Sequence, residues 1–218
     1  MSIQTIIDNA TYIEINKRKV AASSVSRSGQ LKTADRGVGV YGFVCGMHAG
    51  LTYSTNRGVL ESLDTMDVIN EANISLNNNT GMNYITAYQG DIEQAQLDNI
   101  TMVGSNGANL YINTSGATGS GTLFKAGDFI QPKGNTSTYR YPYQVTSDVS
   151  FSVSANITVP VHRGVLPQTG TSITTGGLRV GNAVRFHVKS LNMPTYSIVP
   201  HDRIEFNNDF QLMEVITD

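Results

Sequence analysis

The chain has a single cysteine, few charged residues and no long hydrophobic run. Because Cys45 is alone, an intramolecular disulfide is impossible, and one cysteine without clustered histidines cannot build a zinc site. No apolar stretch approaches the roughly 20 residues that a membrane-spanning helix needs. The first few residues carry neither a basic nor an apolar leader segment, so we expect no secretion signal and folding in a cytoplasm.

The composition excludes several broad classes of protein. Charged residues make up 15% of the 218 residues, and the formal net charge is -2, so no global field attracts nucleic acid or an anionic membrane. The hydrophobic share of 39% is too high for a disordered chain. Leu, Glu and Lys are too scarce for a helical bundle. The length allows one all-β domain or two small ones, and we expect one domain over residues 1–218.

Alternating hydrophobicity predicts a strand near the end of the chain. Residues 184–189 place Val184, Phe186 and Val188 on one face. The opposite face would carry three cationic or nearly cationic side chains, because successive residues of a strand point to opposite sides. Those three interface candidates are Arg185, His187 and Lys189.

Short apolar runs separated by Gly, Pro and Asn recur along the rest of the chain, which predicts a β-sandwich or barrel. Residues 11–15 are predicted to form a strand, residues 16–19 a polar turn, and residues 20–27 a returning, Ser-rich strand. Such a polar strand specifies its register poorly, so pairing with another chain would explain it. Arg18 and Arg27 are therefore interface candidates. Loops are expected at about 77–83, 113–122 and 168–177.

Two segments favour helix. In residues 54–68 the side chains of Val59, Leu60, Leu63 and Met66 form one apolar stripe behind possible N-cap oxygens. A second, short helix is expected at about 91–97, where Asp91 is followed three residues later by Gln94, as in a capping box.

The sequence offers no recognisable catalytic or cofactor site, and we assign no catalytic, cofactor-binding or metal-binding residue. The Gly-rich residues 116–122 lack the Lys of a phosphate-binding loop. The four histidines have no metal-ligand spacing. Cys45 lies near His48 in the sequence, but a small buried side chain is the preferred interpretation. His201 and Asp202 are interpreted as a turn, with Arg203 and Glu205 exposed.

Three tyrosines, Tyr139, Tyr141 and Tyr143, alternate on one predicted strand face. Such a face can stack on sugars or bases, form a cross-strand aromatic ladder, or anchor a protein interface. Because the chain has no excess of basic residues, we rank a protein interface as the first role of this face, sugar binding as the second and nucleic-acid binding as the last.

Several segments together resemble structural proteins of contractile-tailed, myovirus-like bacteriophages, of the tail-tube or baseplate type. The resemblance lies in short sequence segments and in their order along the chain. It spans most of the chain, and no biochemical signature motif carries it. The segments are HAGLTYSTNR at 48–57, LDTMD at 63–67, GDFIQP at 127–132, YRYPY at 139–143, VPVHR at 159–163, and residues 193–215.

The resemblance implies a β-sandwich or barrel with one packed helix, whose strands join neighbouring copies edge to edge in a ring of about six. It further implies a virion protein of the tail, assembled in the bacterial cytoplasm. Its partners would be copies of itself and other tail or baseplate proteins, with DNA only passing through a channel. The alternative is a carbohydrate-binding β-module of a tail fibre, spike or collar, which needs an accessible aromatic shelf.

Overall fold

A computed structural model describes residues 3–18, 21–35, 39–47, 51–64, 71–133, 141–166, 176–192 and 194–216. Antiparallel strands dominate and helices are few, which confirms the mainly β fold expected from the sequence. The buried side chains form two hydrophobic clusters, each enclosed by its own sheet. We call the surrounding parts the sheet lobe (residues 3–76 and 184–216) and the barrel lobe (residues 83–182).

The sheet lobe is built on five antiparallel strands in the order β1-β4-β18-β15-β6. Their alternating apolar residues face inward, so rings such as Phe43 and Phe186 meet edge to face with their centroids 5.0 Å apart. The predicted strand at residues 184–189 starts two residues later than expected, because a 3₁₀ turn at Gly181–Ala183 precedes it. The strands are β1 (Ala10–Arg18), β4 (Val40–Met47), β6 (Glu71–Ile74), β15 (Phe186–Asn192) and β18 (Phe210–Glu214).

Helix α1 (Ile3–Asn9) packs on this sheet and was not predicted. Its three buried isoleucines, Ile3, Ile6 and Ile7, have helical spacing that a search for short helices would find. The side-chain amide of Asn79 donates to the carbonyls of Ile7 and Ala10 at 2.7 and 3.0 Å, which satisfies backbone oxygens where the helix ends.

A small second sheet, which we call the distal sheet, lies where β4 and β15 end and β18 begins. It has the order β16-β17-β5, from β5 (Leu51–Thr52), β16 (Tyr196–Val199) and β17 (Arg203–Phe206). Helix α2 (Tyr53–Asp64) follows β5 directly. This is the helix expected at 54–68, of which residues 65–68 lie outside the described residues.

The predicted turn at residues 16–19 is wrong. Strand β1 continues through Lys17, and β2 (Ala21–Val25) follows before the chain reverses at residues 26–30. The reversal depends on Gly29, whose φ of 78° is the left-handed conformation that glycine tolerates. Strand β3 (Leu31–Asp35) then returns beside β2.

The barrel lobe is a six-stranded sheet that closes on itself, in the order β11-β10-β14-β7-β8-β13. Closure comes from a bridge between Val145 and Val161, which joins the two ends of that order. A separate pair, β9 (Thr122–Phe124) and β12 (Val149–Ser150), adds buried side chains to the same core. The barrel strands are β7 (Thr101–Asn106), β8 (Asn109–Asn113), β10 (Phe129–Pro132), β11 (Tyr143–Gln144), β13 (Ile157–Pro160) and β14 (Gly176–Val180).

The loop and helix predictions of the barrel lobe need two corrections. The second helix is a single turn, α3 (Gln94–Leu97), and the Asp91 carboxylate accepts a hydrogen bond from Thr122 N at 2.7 Å instead of capping it. Gly176 and Gly177 belong to β14, while most of the loop expected at 168–177 lies outside the described residues. Residues 114–121 are a loop as expected, and residues 77–82 form turns that lead into a 3₁₀ turn at Asn83–Ile85.

Candidate assembly interface

Two of the predicted interface tyrosines lie inside the chain. Tyr141 and Tyr143 are each 1% exposed and belong to the barrel core, and the Tyr143 hydroxyl accepts a hydrogen bond from Leu166 N at 3.0 Å. Tyr139 lies outside the described residues. Since the neighbouring Pro142 is also buried, the two rings are core residues, and the prediction that they face a partner or a sugar is wrong.

The three cationic candidates near residue 187 do not share one exposed face. Arg185 is exposed and Lys189 is half-buried, but His187 is buried and its Nε2 lies 2.9 Å from a Glu71 carboxylate oxygen. Strand β15 is central, between β18 and β6, and the Glu71 that contacts His187 belongs to β6. Of this group, Arg185 remains as an exposed interface candidate.

The segment around Arg18 and Arg27 is the most exposed feature of the described structure. Strands β2 and β3 pair with each other and pack appreciably on no other described element. Val25 and Leu31 are register partners near the turn, and they are 69% and 67% exposed. Arg27 is exposed in the turn itself, and Arg18 ends β1 at the base of the hairpin. We call the hairpin of residues 21–35 the arm.

The arm follows β1 in the chain, and β1 is an open edge of the five-stranded sheet. Among the described residues, β1 pairs only with β4, and at the opposite edge β6 pairs only with β15. Both edges therefore offer unpaired backbone groups to another chain. An isolated two-stranded hairpin is at best marginally stable in water, so the arm needs a surface that this chain does not supply from its described residues.

A buried ion pair joins the two lobes. Arg163 follows β13 in the barrel lobe, and Glu214 ends β18 in the sheet lobe. The guanidinium donates to both carboxylate oxygens, at 2.6 and 2.7 Å, and the two side chains are 3% and 0% exposed. It also donates to the carbonyls of Gly39 and Pro142 at 2.8 and 3.0 Å. Hydrogen bonds to both lobes fix their relative position at this junction.

Three tyrosine rings surround the guanidinium. Its central carbon lies 5.2 Å from the Tyr41 ring centroid, 5.9 Å from that of Tyr141 and 5.3 Å from that of Tyr143. Burial opposes the charge of Arg163, but the hydrogen bonds and charge of Glu214 outweigh it and raise the pKa of Arg163. Within the described structure the Tyr41 hydroxyl and Arg163 Nε have no hydrogen-bond partner.

His162 sits at the rim of this junction as a neutral ring. Its Nδ1 accepts a hydrogen bond from Gln144 N at 3.0 Å, which requires an unprotonated nitrogen. Burial, and then the charges of Arg163 and Lys17, lower the pKa of His162 from 6.5 to about 3. Burial likewise raises the pKa of Tyr143 to about 12, so the junction keeps one charge pair and otherwise neutral groups.

Sequence reasoning missed the junction, although the pattern contains a signal. Val159, Val161 and Arg163 alternate on the inward face of one strand and its extension. Leu212 and Glu214 do the same on β18. Two opposite charges, each at an inward position of a period-two pattern, indicate a buried pair.

The other chemical candidates have structural roles. Cys45 is buried as expected, and burial, together with the charge of Asp209, raises the pKa of its thiol to about 12. The turn containing His201 and Asp202 is also as expected, and the Asp202 carboxylate accepts a hydrogen bond from Ser54 N at 2.9 Å. The described residues contain no cluster of three or more His, Cys, Asp or Glu suited to a metal ion.

One small cavity opens on the outer face of the five-stranded sheet. Its volume of about 40 Å³ holds a few water molecules, whereas pockets for small ligands are usually several hundred Å³. Its lining residues are Asn16, Gly42, Phe43, Val44, Leu191, Gln211, Leu212 and Met213. In the described part of the chain, no helix is both long and apolar enough to span a membrane.

Comparison with known proteins gives no family: no protein-family model matches the chain, and no curated protein matches it significantly.

Proposed function

We propose that this protein is a virion structural subunit that forms or caps a ring of a contractile phage tail tube or baseplate. The arm carries the proposal, because a hairpin that packs appreciably on no other described element and exposes Val25 and Leu31 is the kind of element that a neighbouring subunit completes. The resemblance of the sequence supplies the biological setting. In this setting the protein acts mechanically, as part of a wall around a channel through which DNA passes.

The sheet edges support a ring. One edge is the nine-residue strand β1 and the other is the four-residue strand β6, and they lie on opposite sides of the sheet. An edge of one copy that pairs with the unlike edge of the next makes a heterologous contact, which closes into a ring when the rotation per copy divides a full turn. A ring of about six copies is expected, by analogy with the proteins the chain resembles.

The carbohydrate-binding alternative loses its main support. It needs an accessible aromatic shelf, and burial of Tyr141 and Tyr143 removes the shelf predicted from the sequence. The large exposed aromatic side chains of the described residues are Tyr12 and Tyr84, which come from strand β1 and from the start of the barrel lobe.

The test is to measure the mass of the purified protein in solution and to image it by negative-stain electron microscopy. We expect closed rings of about six copies, formed by the chain alone or on isolated tail tubes. A double variant, Val25→Thr with Leu31→Thr, keeps strand-forming residues but removes the exposed apolar groups, so it should fold and fail to assemble.

The matched control is Val153→Thr. Val153 is 66% exposed in a loop of the barrel lobe, so it tests loss of an exposed apolar side chain outside the arm. Unchanged rings in the double variant would remove the arm from the interface. A wild-type chain that stays monomeric at high concentration and in the presence of tail tubes would contradict the proposed function.

A further inference from the structure

The charges of the chain are strongly segregated, although the net charge is small. The sequence segment 17–36, which contains the arm, holds six basic residues and one acidic residue, a formal charge of +5. Residues 83–182, the barrel lobe, hold five of each sign. The remaining residues hold four basic and eleven acidic residues, a formal charge of -7. A basic segment that contains the arm therefore interrupts an otherwise acidic sheet lobe.

The topology places the arm and the distal sheet at opposite ends of the five-stranded sheet. Strand β1 pairs with β4 from Ala10 beside Met47 to Arg18 beside Val40. The arm begins at the Arg18 end. At the other end β4 leads into β5 and β15 leads into β16, which belong to the distal sheet. The arm therefore starts at the end of the five-stranded sheet opposite the distal sheet of its own chain.

We call residues 51–64 and 194–209 the distal end, and its charge is opposite to that of the arm. It contains two basic residues, Arg57 and Arg203, and five acidic ones. Its acidic residues are Glu61, Asp64, Asp202, Glu205 and Asp209.

Apolar side chains lie among these charges. Tyr196 and Ile198 alternate on one face of β16, Phe206 is the register partner of Tyr196, and Ile198 is 56% exposed. An acidic end with a partly exposed apolar stripe complements a basic arm with an exposed apolar pair, Val25 and Leu31.

We propose that the basic arm of one copy docks on the distal sheet and helix α2 of a second copy, head to tail. This inference rests on the proposed function. It specifies the contact that joins two copies, either within one ring or between stacked rings. Val25 and Leu31 pack against the Tyr196 and Ile198 face, and the basic residues of the arm approach the acidic residues of the distal end. Since the arm starts at one end of the five-stranded sheet and the distal sheet lies at the other, the contact can repeat from copy to copy.

Nucleic acid is the other polyanion that could take a basic arm. Two observations favour a second copy. The exposed Val25 and Leu31 sit beside Arg27 at the tip, and apolar side chains are the core of protein interfaces, whereas phosphate contacts are made by charged and polar groups. The acidic distal end is also present in every copy, at the concentration of the arm itself.

The test is a charge-reversal pair that can be mixed. One variant reverses the arm (Arg27→Glu with Lys32→Glu), and the other reverses the distal end (Glu61→Lys with Glu205→Lys). Each should keep the wild-type thermal unfolding temperature within a few degrees, and its self-association in analytical ultracentrifugation should weaken at least about tenfold. Mixed in equal amounts, they should restore association, because each reversed arm then meets a reversed distal end.

The control reverses two exposed lysines of the barrel lobe (Lys125→Glu with Lys133→Glu), which should leave association unchanged. Wild-type association should also weaken as salt rises from about 0.1 M to about 1 M, where the screening length falls from about 10 Å to about 3 Å. The distal-end variant should bind no more weakly than wild type to a short mixed-sequence DNA duplex.

If both reversal variants associate as strongly as the wild type, the inference is overturned. If rings are still visible in that case, the proposed function stands. Failure of the mixture to restore association, with both variants folded, overturns the pairing of arm and distal end. Loss of DNA binding in the arm variant, with unchanged self-association, assigns the arm to nucleic acid instead. Wild-type protein that never associates overturns both proposals.

Discussion

At the scale of single residues, the Arg163 and Glu214 pair shows how a charge is kept inside this protein. Removing two ions from water costs several kcal/mol each, and the contact is favourable only when the remaining donors and acceptors are satisfied. Here both carboxylate oxygens accept from the guanidinium, Tyr41 N donates to Glu214 at 3.1 Å, and two backbone carbonyls take further guanidinium protons. The pair sets the geometry between the lobes more than it adds stability.

Breaking this pair should be costly, whereas replacing it should not. Glu214→Gln leaves the guanidinium buried without a counter-charge, and we expect a loss of about 3–5 kcal/mol in the free energy of unfolding, measured by urea denaturation. Arg163→Met together with Glu214→Leu should recover most of that loss. Glu205→Gln is the control, since Glu205 is exposed. A loss below about 1 kcal/mol in Glu214→Gln would show that the pair is not held in this buried geometry.

The neutral state of His162 predicts a pH dependence of stability. Its pKa falls from 6.5 in the unfolded chain to about 3 in the folded one, so only the unfolded chain takes up a proton between those values. The contribution of neutral His162 to the stability of the fold is therefore full above about pH 6.5 and is lost as the pH falls toward about 3. His162→Asn keeps an oxygen that can accept from Gln144 N and cannot titrate.

The measurement is the urea midpoint of wild type and His162→Asn across this pH range. The wild-type midpoint should fall more steeply on acidification than that of the variant. Parallel curves would mean that His162 titrates alike in the folded and unfolded chains.

At the scale of elements, the turn between β16 and β17 combines strain with a structural role. His201 and Asp202 have φ values of 68° and 60°, a left-handed conformation that side chains other than glycine adopt at a cost. The strain persists because the Asp202 carboxylate accepts hydrogen bonds from both the backbone N–H and the hydroxyl of Ser54, at the start of α2.

The two residues of this turn should therefore respond in opposite directions to the same substitution. His201→Gly relieves backbone strain without removing the Ser54 contacts, and should stabilise the protein by up to about 1 kcal/mol. Asp202→Gly relieves similar strain but removes the cap of α2, and should destabilise it. Thermal unfolding of the two variants tests the difference. Stabilisation by both would show that the cap contributes little.

At the scale of the whole molecule, the arm is the described element with the least support from the rest of the chain. Few contacts tie β2 and β3 to the body, and local opening is easiest where buried contacts are few. Limited digestion of the unassembled protein with trypsin should therefore cut first within the arm, with Arg27 as the exposed site in its turn.

Arg27→Gln should slow that first cut, and assembly should protect the arm from it. The two lobes should be cut later, since Arg163 is buried at their junction and the backbone N–H groups of the exposed Lys125 and Lys133 are hydrogen-bonded to Asp128 and Gly177. Initial cleavage within the barrel lobe, with the arm uncut, would contradict the exposed position of the hairpin. Mass spectrometry of the early fragments gives the order of cleavage.

Local patterns of the sequence determined the mainly β fold, the strand at 184–189 and the helix after residue 53. Alternation and helical spacing depend only on which side of an element is buried, so they can be read within about ten residues. The exclusion of a disulfide also required nothing beyond the count of cysteines. The residue types typical of turns were less decisive, because polar residues 16–19 are predicted to form a turn, whereas residues 16–18 continue the edge strand β1.

Only the tertiary structure decided which polar and aromatic residues are accessible. Tyr141 and Tyr143 look like an exposed aromatic face until closure of the barrel buries them, and His187 looks exposed until β6 and β18 flank its strand. Arg163 and Glu214 are 51 residues apart and meet because two lobes pack together. Burial and pairing across such distances depend on which elements become neighbours, and local periodicity carries no information about that.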